Sequence, residues 1–364
     1  MMGYNFRMTT TYSSELIFPL GKLHSHSSSI VEFPRGQLLV CWYMGSGERK
    51  ADDVRIMGAT KPLKGGTWSK PFVLADTPGF PDTNCVLAVN GDGRLWLFYG
   101  TQLDNNWEST LLKYKVGRKL GQWDDMGVVP LKPGDEEFPA EVRAKLPQVL
   151  AAYPELEKYR GELLAMADNK LKRRMGWMGR CKPLIEGKRM LLPLYSDGYN
   201  FSLVAITDDA GQTWSCSKPL IGPGAVQPAL VRRKDGAIVA FCRNNGPAPQ
   251  QMLVSESRDN GLTWSVATHN QLLNPGSSVD ALKLRDGRWL LCYNDTEDGR
   301  HQLAISYSED EGKSWIKTTH LDEAEKASKS YPSLLQASDG SVHITYSFSA
   351  AGGEAIQHVR LSPP

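Results

Sequence analysis

Six residues stand at a nearly fixed distance ahead of six turn glycines. Nine or ten positions upstream of Gly36, Gly93, Gly187, Gly236, Gly287 and Gly340 come His26, Asn84, Met178, Gln227, Ser278 and Tyr331. Most are polar or hydrogen-bonding, in otherwise apolar neighbourhoods. Polar side chains repeated at equivalent places in a closed array of strands converge on an axis, and that makes a site. The plainer alternative is a scatter of satisfied core polar groups. Two arginines join the set. Arg243 ends the apolar run AIVAFC, where a charge needs solvent or a partner. Arg300 precedes another strand-like run. Paired guanidinium groups at a channel mouth suit a carboxylate, because each offers planar bidentate donors. The alternative for both is a surface arginine at a strand edge.

The elements that must position these residues repeat. After each turn glycine comes a run of mostly apolar residues, and four of the six glycines follow Asp. Asp-Gly between apolar runs is a strong hairpin signal. A second series is independent of the first. Thr207 to Trp214, Ser257 to Trp264 and Ser308 to Trp315 share the form Ser/Thr-x-Asp-x-Gly-x-Thr/Ser-Trp, with Trp-to-Trp intervals of 50 and 51 residues. Weaker copies end at Trp68 and Trp123. Both series describe one unit of about 50 residues, present six times, with one long interval between the second and third units. A unit of that length with several short strands is the size of a four-stranded propeller blade. The expectation is an all-β, six-bladed propeller occupying 1–364 as a single domain, rather than a β-sandwich. A strand near Ser14 to Phe18 is expected to complete the sixth blade, and such closure removes open sheet edges. The long interval, about 130–174, is rich in Ala, Leu, Glu, Lys and Arg. It predicts one or two amphipathic helices inserted in the third blade, as a cap, a contact for a homo-oligomer or simple decoration.

Composition excludes several classes. The 42 basic and 40 acidic residues give a net charge of +2 with no basic stripe, so nucleic acid is not an expected partner. No apolar run reaches membrane-span length. The N-terminus lacks the layout of a secretion signal, which favours a cytoplasmic protein unless a leader was trimmed. The six cysteines show no metal-type spacing and read as buried reduced thiols. His24 and His26 are too few to hold a metal, and calcium at the Asp-containing turns has no support. No metal or cofactor is expected.

The chain resembles the sialidase (neuraminidase) superfamily, whose repeat signature is the Asp-box Ser-x-Asp-x-Gly-x-Thr-Trp. It is most similar to sialidase-like proteins with BNR repeats, through the stretches beginning His26-Ser27-Ser28-Ser29, Asn274-Pro275-Gly276-Ser277 and Ser330-Tyr331-Pro332-Ser333. The resemblance spans essentially the whole chain outside the insertion. It implies three arginines on a substrate carboxylate, a nucleophilic Tyr assisted by a Glu, and an Asp acid/base. Counting from the turn glycines, Tyr331 looks like the nucleophile, Arg243 and Arg300 like the second and third arginines, and Asp52 or Asp53 like the acid/base, with Glu48 a nearby competitor. Asn84 and Asp280 are counted with the substrate-binding residues. Two positions depart from the pattern. The first arginine falls on His26, and the assisting Glu falls on Gln227. Gln cannot take a proton from a phenol.

Three functions are compatible with these residues. The first is a sialidase-like glycoside hydrolase on a glycan bearing an acidic, carboxylate-containing sugar. The second is a uronate-directed polysaccharide lyase, with His26 and Tyr331 as base and acid. The third is a non-catalytic glycan-binding propeller.

Overall fold

The computed structural model describes residues 12–321 and 326–361; the first eleven residues, part of the stretch read above for a leader, lie outside these. Six antiparallel sheets follow one another along the chain. Blades one, two, four and five each consist of four consecutive strands, whose inner members are His24–Glu32, Asp82–Val89, Ala225–Arg232 and Asp280–Lys283. Blade six runs inward from its outer edge as Tyr12–Leu16, Gly353–Leu361, Val342–Ala350 and Ser328–Gln336. The N-terminal strand therefore closes the ring by pairing with the last strand, Tyr12 opposite Leu361 and Leu16 opposite Gln357. Glu15 adds a side-chain clasp. It pairs with Lys61 of blade one and with His358 of blade six, the latter at 3.0 Å.

Every Asp-box is a hydrogen-bonded turn between the third and fourth strands of its blade. In blade four, Asp259 accepts from the Ser257 hydroxyl at 2.8 Å, the Thr263 amide at 2.9 Å and the Thr263 hydroxyl at 2.5 Å. Blades three and five repeat the pattern with Asp209 and Asp310. The turn needs its glycine. Gly211 has φ +90°, and a Cβ there would lie 2.3 Å from the ring of Trp96 in the preceding blade. The boxes thus build and space the blades from the rim, away from the axis.

Blade three is the exception. Its inner strand is broken into Met178–Gly179 and Leu184–Glu186, both paired with Arg189–Ser196. Between the pieces, residues 180–182 cross the axis. Arg180 donates to Ser28 O of blade one at 3.3 Å and to Pro332 O of blade six at 2.6 Å. The Cys181 thiol donates to Val279 O at 3.2 Å, and Lys182 Nζ lies 3.2 Å from Asp280 and 2.8 Å from Ser333. This plug separates the two mouths of the channel. Asp280 also accepts from the Leu334 amide at 2.7 Å and is buried, so it staples the plug to blades five and six; it is not the substrate-binding residue expected from the sequence.

The insertion is helical: α1 (Glu137–Ala152), α2 (Arg160–Asp168) and α3 (Lys170–Arg174). Phe138, Val142, Leu146 and Leu150 recur every four residues on α1, and all four are buried. They join one core with Trp177, Tyr199 and Phe201 of blade three, the Phe138 ring centroid lying 5.4 Å from that of Tyr199. The described cysteines are all unpaired thiols, five of them buried. No described helix is long and apolar enough to cross a membrane.

Candidate active site

The N-terminal ends of the inner strands meet at one mouth, around a cavity of about 410 Å³. Four of these strands carry the same local distortion. The pairing register slips between His26 and Ser29, Thr83 and Val86, Val226 and Ala229, and Ser330 and Ser333. At each slip one residue has positive φ: Ser27 (59°), Asn84 (53°), Gln227 (54°) and Tyr331 (57°). Each lies nine positions before its turn glycine. A left-handed conformation costs a non-glycine residue of this kind about 1–3 kcal/mol, and such strain concentrates at functional sites. The bulge re-aims the side chain and ends regular pairing. Asn84, Gln227 and Tyr331 are brought into the cavity this way; His26 precedes the strained residue by one and also lines it. Met178 and Ser278, which complete the series, do not.

Tyr331 is at the centre. Arg243 Nη1 donates to its phenol oxygen at 3.1 Å. The Arg300 guanidinium lies 5.4 Å from the ring centroid, and that of Arg180 lies 5.1 Å away. Burial pushes the phenol pKa up, but the Arg243 and Arg300 charges, the Gln227 amide and the Arg180 charge outweigh it and hold it below its ordinary value. The sequence supplies two guanidiniums for this region; the fold adds a third, Arg180, from the plug. Arg180 is 2% exposed and lies beside the ring rather than in the cavity lining.

His26 stacks edge-on against Tyr331, with centroids 4.2 Å apart. Burial first, then the charges of His24 and the three arginines, hold His26 well below its ordinary pKa, so it is a neutral imidazole. His24 behaves oppositely. Burial disfavours its charge, but Glu354 at 3.1 Å overrides that and raises its pKa. Asn84 donates to the Tyr195 hydroxyl at 2.8 Å. Gln227 Oε1 and His24 Nε2 are buried and have no partner among the described residues. Buried polar atoms of that kind are usually satisfied, so they mark places for ligand or water.

The loops joining second to third strands form the rim. They contribute Glu48 and Arg49 from blade one, Trp107 from blade two, Asp197 from blade three, Asn245 from blade four and Arg300 from blade five. Glu48 accepts from the Tyr43 hydroxyl at 3.3 Å and pairs with Arg49 at 3.2 Å. Asp52 and Asp53, expected as the acid/base, are outside the cavity. Asp53 is exposed and bonded to Ser46 N at 3.0 Å, and Asp52 accepts from Asn105 at 2.8 Å. The chain turns back after Lys50, and that points both carboxylates into solvent. Glu48, four residues earlier, is in the lining. Asp197 is the carboxylate that sequence reasoning missed. Desolvation, reinforced by Glu48, raises its pKa despite the Arg243 and Arg49 charges. Counting downstream from the turn glycines would have exposed it. Glu48, Asp197 and Arg300 lie 12, 10 and 13 residues after Gly36, Gly187 and Gly287. No group of three metal-ligating side chains occurs among the described residues.

The BNR repeat-like domain family matches residues 167–344, from the last helices of the insertion into blade six. No curated protein matches the chain. Among solved structures, a protein of unknown function from Dyadobacter fermentans superposes with a TM-score of 0.73 at 16% identity, over 96% of this chain and 98% of that one. The NanB sialidase of Streptococcus pneumoniae gives 0.68 at 14% identity, over 96% and 70%. The intramolecular trans-sialidase of Ruminococcus gnavus gives 0.65 at 12% identity, over 93% and 94%. Likeness at such identities speaks for fold and not for activity. Repeat pattern, blade count and these likenesses agree on the fold: the chain is a six-bladed propeller with BNR-type repeats, similar in architecture to the sialidases.

Proposed function

We propose that the protein is a glycosidase of sialidase type acting on a glycan that carries an acidic sugar. The observation that carries this reading is Tyr331, whose phenol accepts from Arg243 at 3.1 Å and is held below its ordinary pKa by three guanidiniums. Arg243 and Arg300 line the cavity and would hold the sugar carboxylate through charge-assisted hydrogen bonds. Tyr331 would attack the anomeric carbon as the phenolate. Gln227 cannot serve as its base. Here the surrounding cations lower the cost of the phenolate, and the proton leaves to solvent before attack. Asp197, with its raised pKa, would protonate the leaving glycosidic oxygen and then, as carboxylate, take a proton from the water that hydrolyses the glycosyl–Tyr331 bond.

A second reading rests on one observation, the neutral His26 ring stacked 4.2 Å from Tyr331. In a lyase, His26 would take the proton α to a carboxylate neutralised by Arg243 and Arg300, and Tyr331 would protonate the leaving oxygen.

The test is turnover of a fluorogenic α-sialoside by wild type and Tyr331→Phe, with acidic polysaccharides assayed in parallel for unsaturated, UV-absorbing products. Fluorescence released by wild type and lost in Tyr331→Phe supports the glycosidase. Unsaturated product in place of it transfers the site to the lyase. No turnover of either kind by folded protein sinks both and leaves a glycan-binding propeller.

A further inference from the structure

A second cavity, of about 550 Å³, opens between the helical insertion and the loops of blades three and four. It shares two lining residues, Asp197 and Asn245, with the cavity around Tyr331. The two spaces therefore adjoin along one wall, and a hydrogen-bonded path runs along it. Arg243 donates to the Tyr331 phenol at 3.1 Å and to Asn245 Oδ1 at 2.9 Å, and Asn245 Nδ2 donates to Asn200 Oδ1 at 2.8 Å. Asn200 belongs to the second cavity only. The opposite wall comes from the insertion. Tyr159, between α1 and α2, is 44% exposed and lines the groove, with Leu156 and Leu163 beside it.

We propose that this groove is a leaving-group subsite, which holds the neutral sugar residues attached to the acidic sugar bound at Tyr331. The proposal rests on the glycan reading above. Its chemistry is that of a sugar site. The Lys158 ammonium lies over one face of the Tyr159 ring, 5.0 Å from its centroid, and the other face is the one to accept the C–H face of a pyranose ring, while carboxamides match hydroxyl groups as donor and acceptor. Its charge selects a neutral chain. Glu108, Glu155 and Glu162 line it against a single lysine, Lys158, so a second carboxylate would be repelled. Asp197 stands at the junction, where the scissile oxygen between the two sugars would lie. The insertion then has a function that a bare propeller lacks, because it lengthens the site on the leaving-group side.

The experiment, in a Tyr331→Phe background so that no ligand is turned over, is calorimetric binding of α-methyl N-acetylneuraminide and of sialyllactose to protein that is wild type at position 159, Tyr159→Ala or Tyr159→Phe, with lactose alone followed by saturation-transfer NMR. The trisaccharide is expected to bind wild type and Tyr159→Phe about tenfold more tightly than the monosaccharide. Tyr159→Ala should lose that increment with monosaccharide affinity unchanged. Equal affinities in wild type, or an equal loss on both ligands in Tyr159→Ala, would overturn the subsite. Binding of neither acidic ligand would instead remove the acidic-sugar reading. Lactose then decides the groove by itself: a wild-type signal that Tyr159→Ala abolishes supports it, and no wild-type signal overturns it.

Discussion

The channel has two mouths, and the larger cavity is not the one that gathers the strained residues. The mouth at the C-terminal ends of the inner strands encloses about 610 Å³, against about 410 Å³ around Tyr331. Yet its charges are matched at home. Arg232 makes a bidentate pair with Glu186 at 2.6 and 2.7 Å, Lys182 sits with Asp280, and Glu32 accepts from Ser338 at 2.6 Å. At the Tyr331 mouth the reverse holds. Three guanidiniums crowd one phenol, buried polar atoms lack partners and four backbone positions are strained. Unsatisfied charge and strain distinguish a working site from a packed end better than volume does. The plug at 180–182 keeps the two environments apart.

Substitutions on either side of the plug sharpen that contrast. The largest effect is expected for Tyr331→Phe, which should lower turnover of an acidic-sugar glycoside by about 10³-fold or more while leaving the melting temperature in place. Because the phenol is held below its ordinary pKa, wild-type kcat/KM on an activated aryl glycoside, which does not need the Asp197 proton, should rise with pH along a limb centred below about 10, and that limb should vanish in this variant. Next, Arg243→Ala should cost about 10²–10³ in kcat/KM. Its counterpart at the other mouth, Arg232→Ala, should leave kcat/KM within about twofold and lower stability by no more than about 1 kcal/mol. Equal activity losses in the two variants would erase the distinction between the mouths.

Asp197→Asn should lower kcat about 10²-fold on a glycan with a poor leaving group and far less on an activated aryl glycoside, because only the former needs a proton donor. Equal losses on both would remove Asp197 from the acid's role and return attention to Glu48.

The smallest effect concerns the Asp-boxes, which should matter to stability alone. Hydrogen bonds from Thr213 hold Asp209 at about 2, and those from Ser314 hold Asp310 at about 2. A carboxyl depressed on folding stabilises the fold above its unfolded pKa, and that contribution is lost as pH falls through the folded value. The melting temperature of wild type should exceed that of Asp209→Asn at pH 5 and converge with it between about pH 4 and pH 2. A constant gap down to pH 2 would contradict the assigned hydrogen bonding.

How much of the site the sequence discloses depends on the residue. Tyr331, Gln227 and Asn84 are found by counting back from turn glycines, because the same nine-residue interval separates each strained position from its turn glycine. His26 is offset by one, since the strained position in its strand is Ser27. Asp52 and Asp53 are misread because the count crosses an irregular loop, where a 3-10 turn at Glu48–Lys50 sends the following residues outward. Asp280 keeps the expected blade but faces the plug. Arg180 is invisible to counting, since it lies where the third inner strand breaks and the chain leaves its period.

By itself, the sequence determined the number of blades, their spacing and the place of the insertion. Those features are local and periodic: turns, apolar runs and the Asp-box each depend on residues within a few positions of one another. Only the tertiary structure decided which mouth carries unmatched charge, that a third guanidinium supports Tyr331 and that the insertion opens a groove beside Asp197. Each of these joins residues from different blades, and ring closure, not spacing along the chain, sets the distances between them.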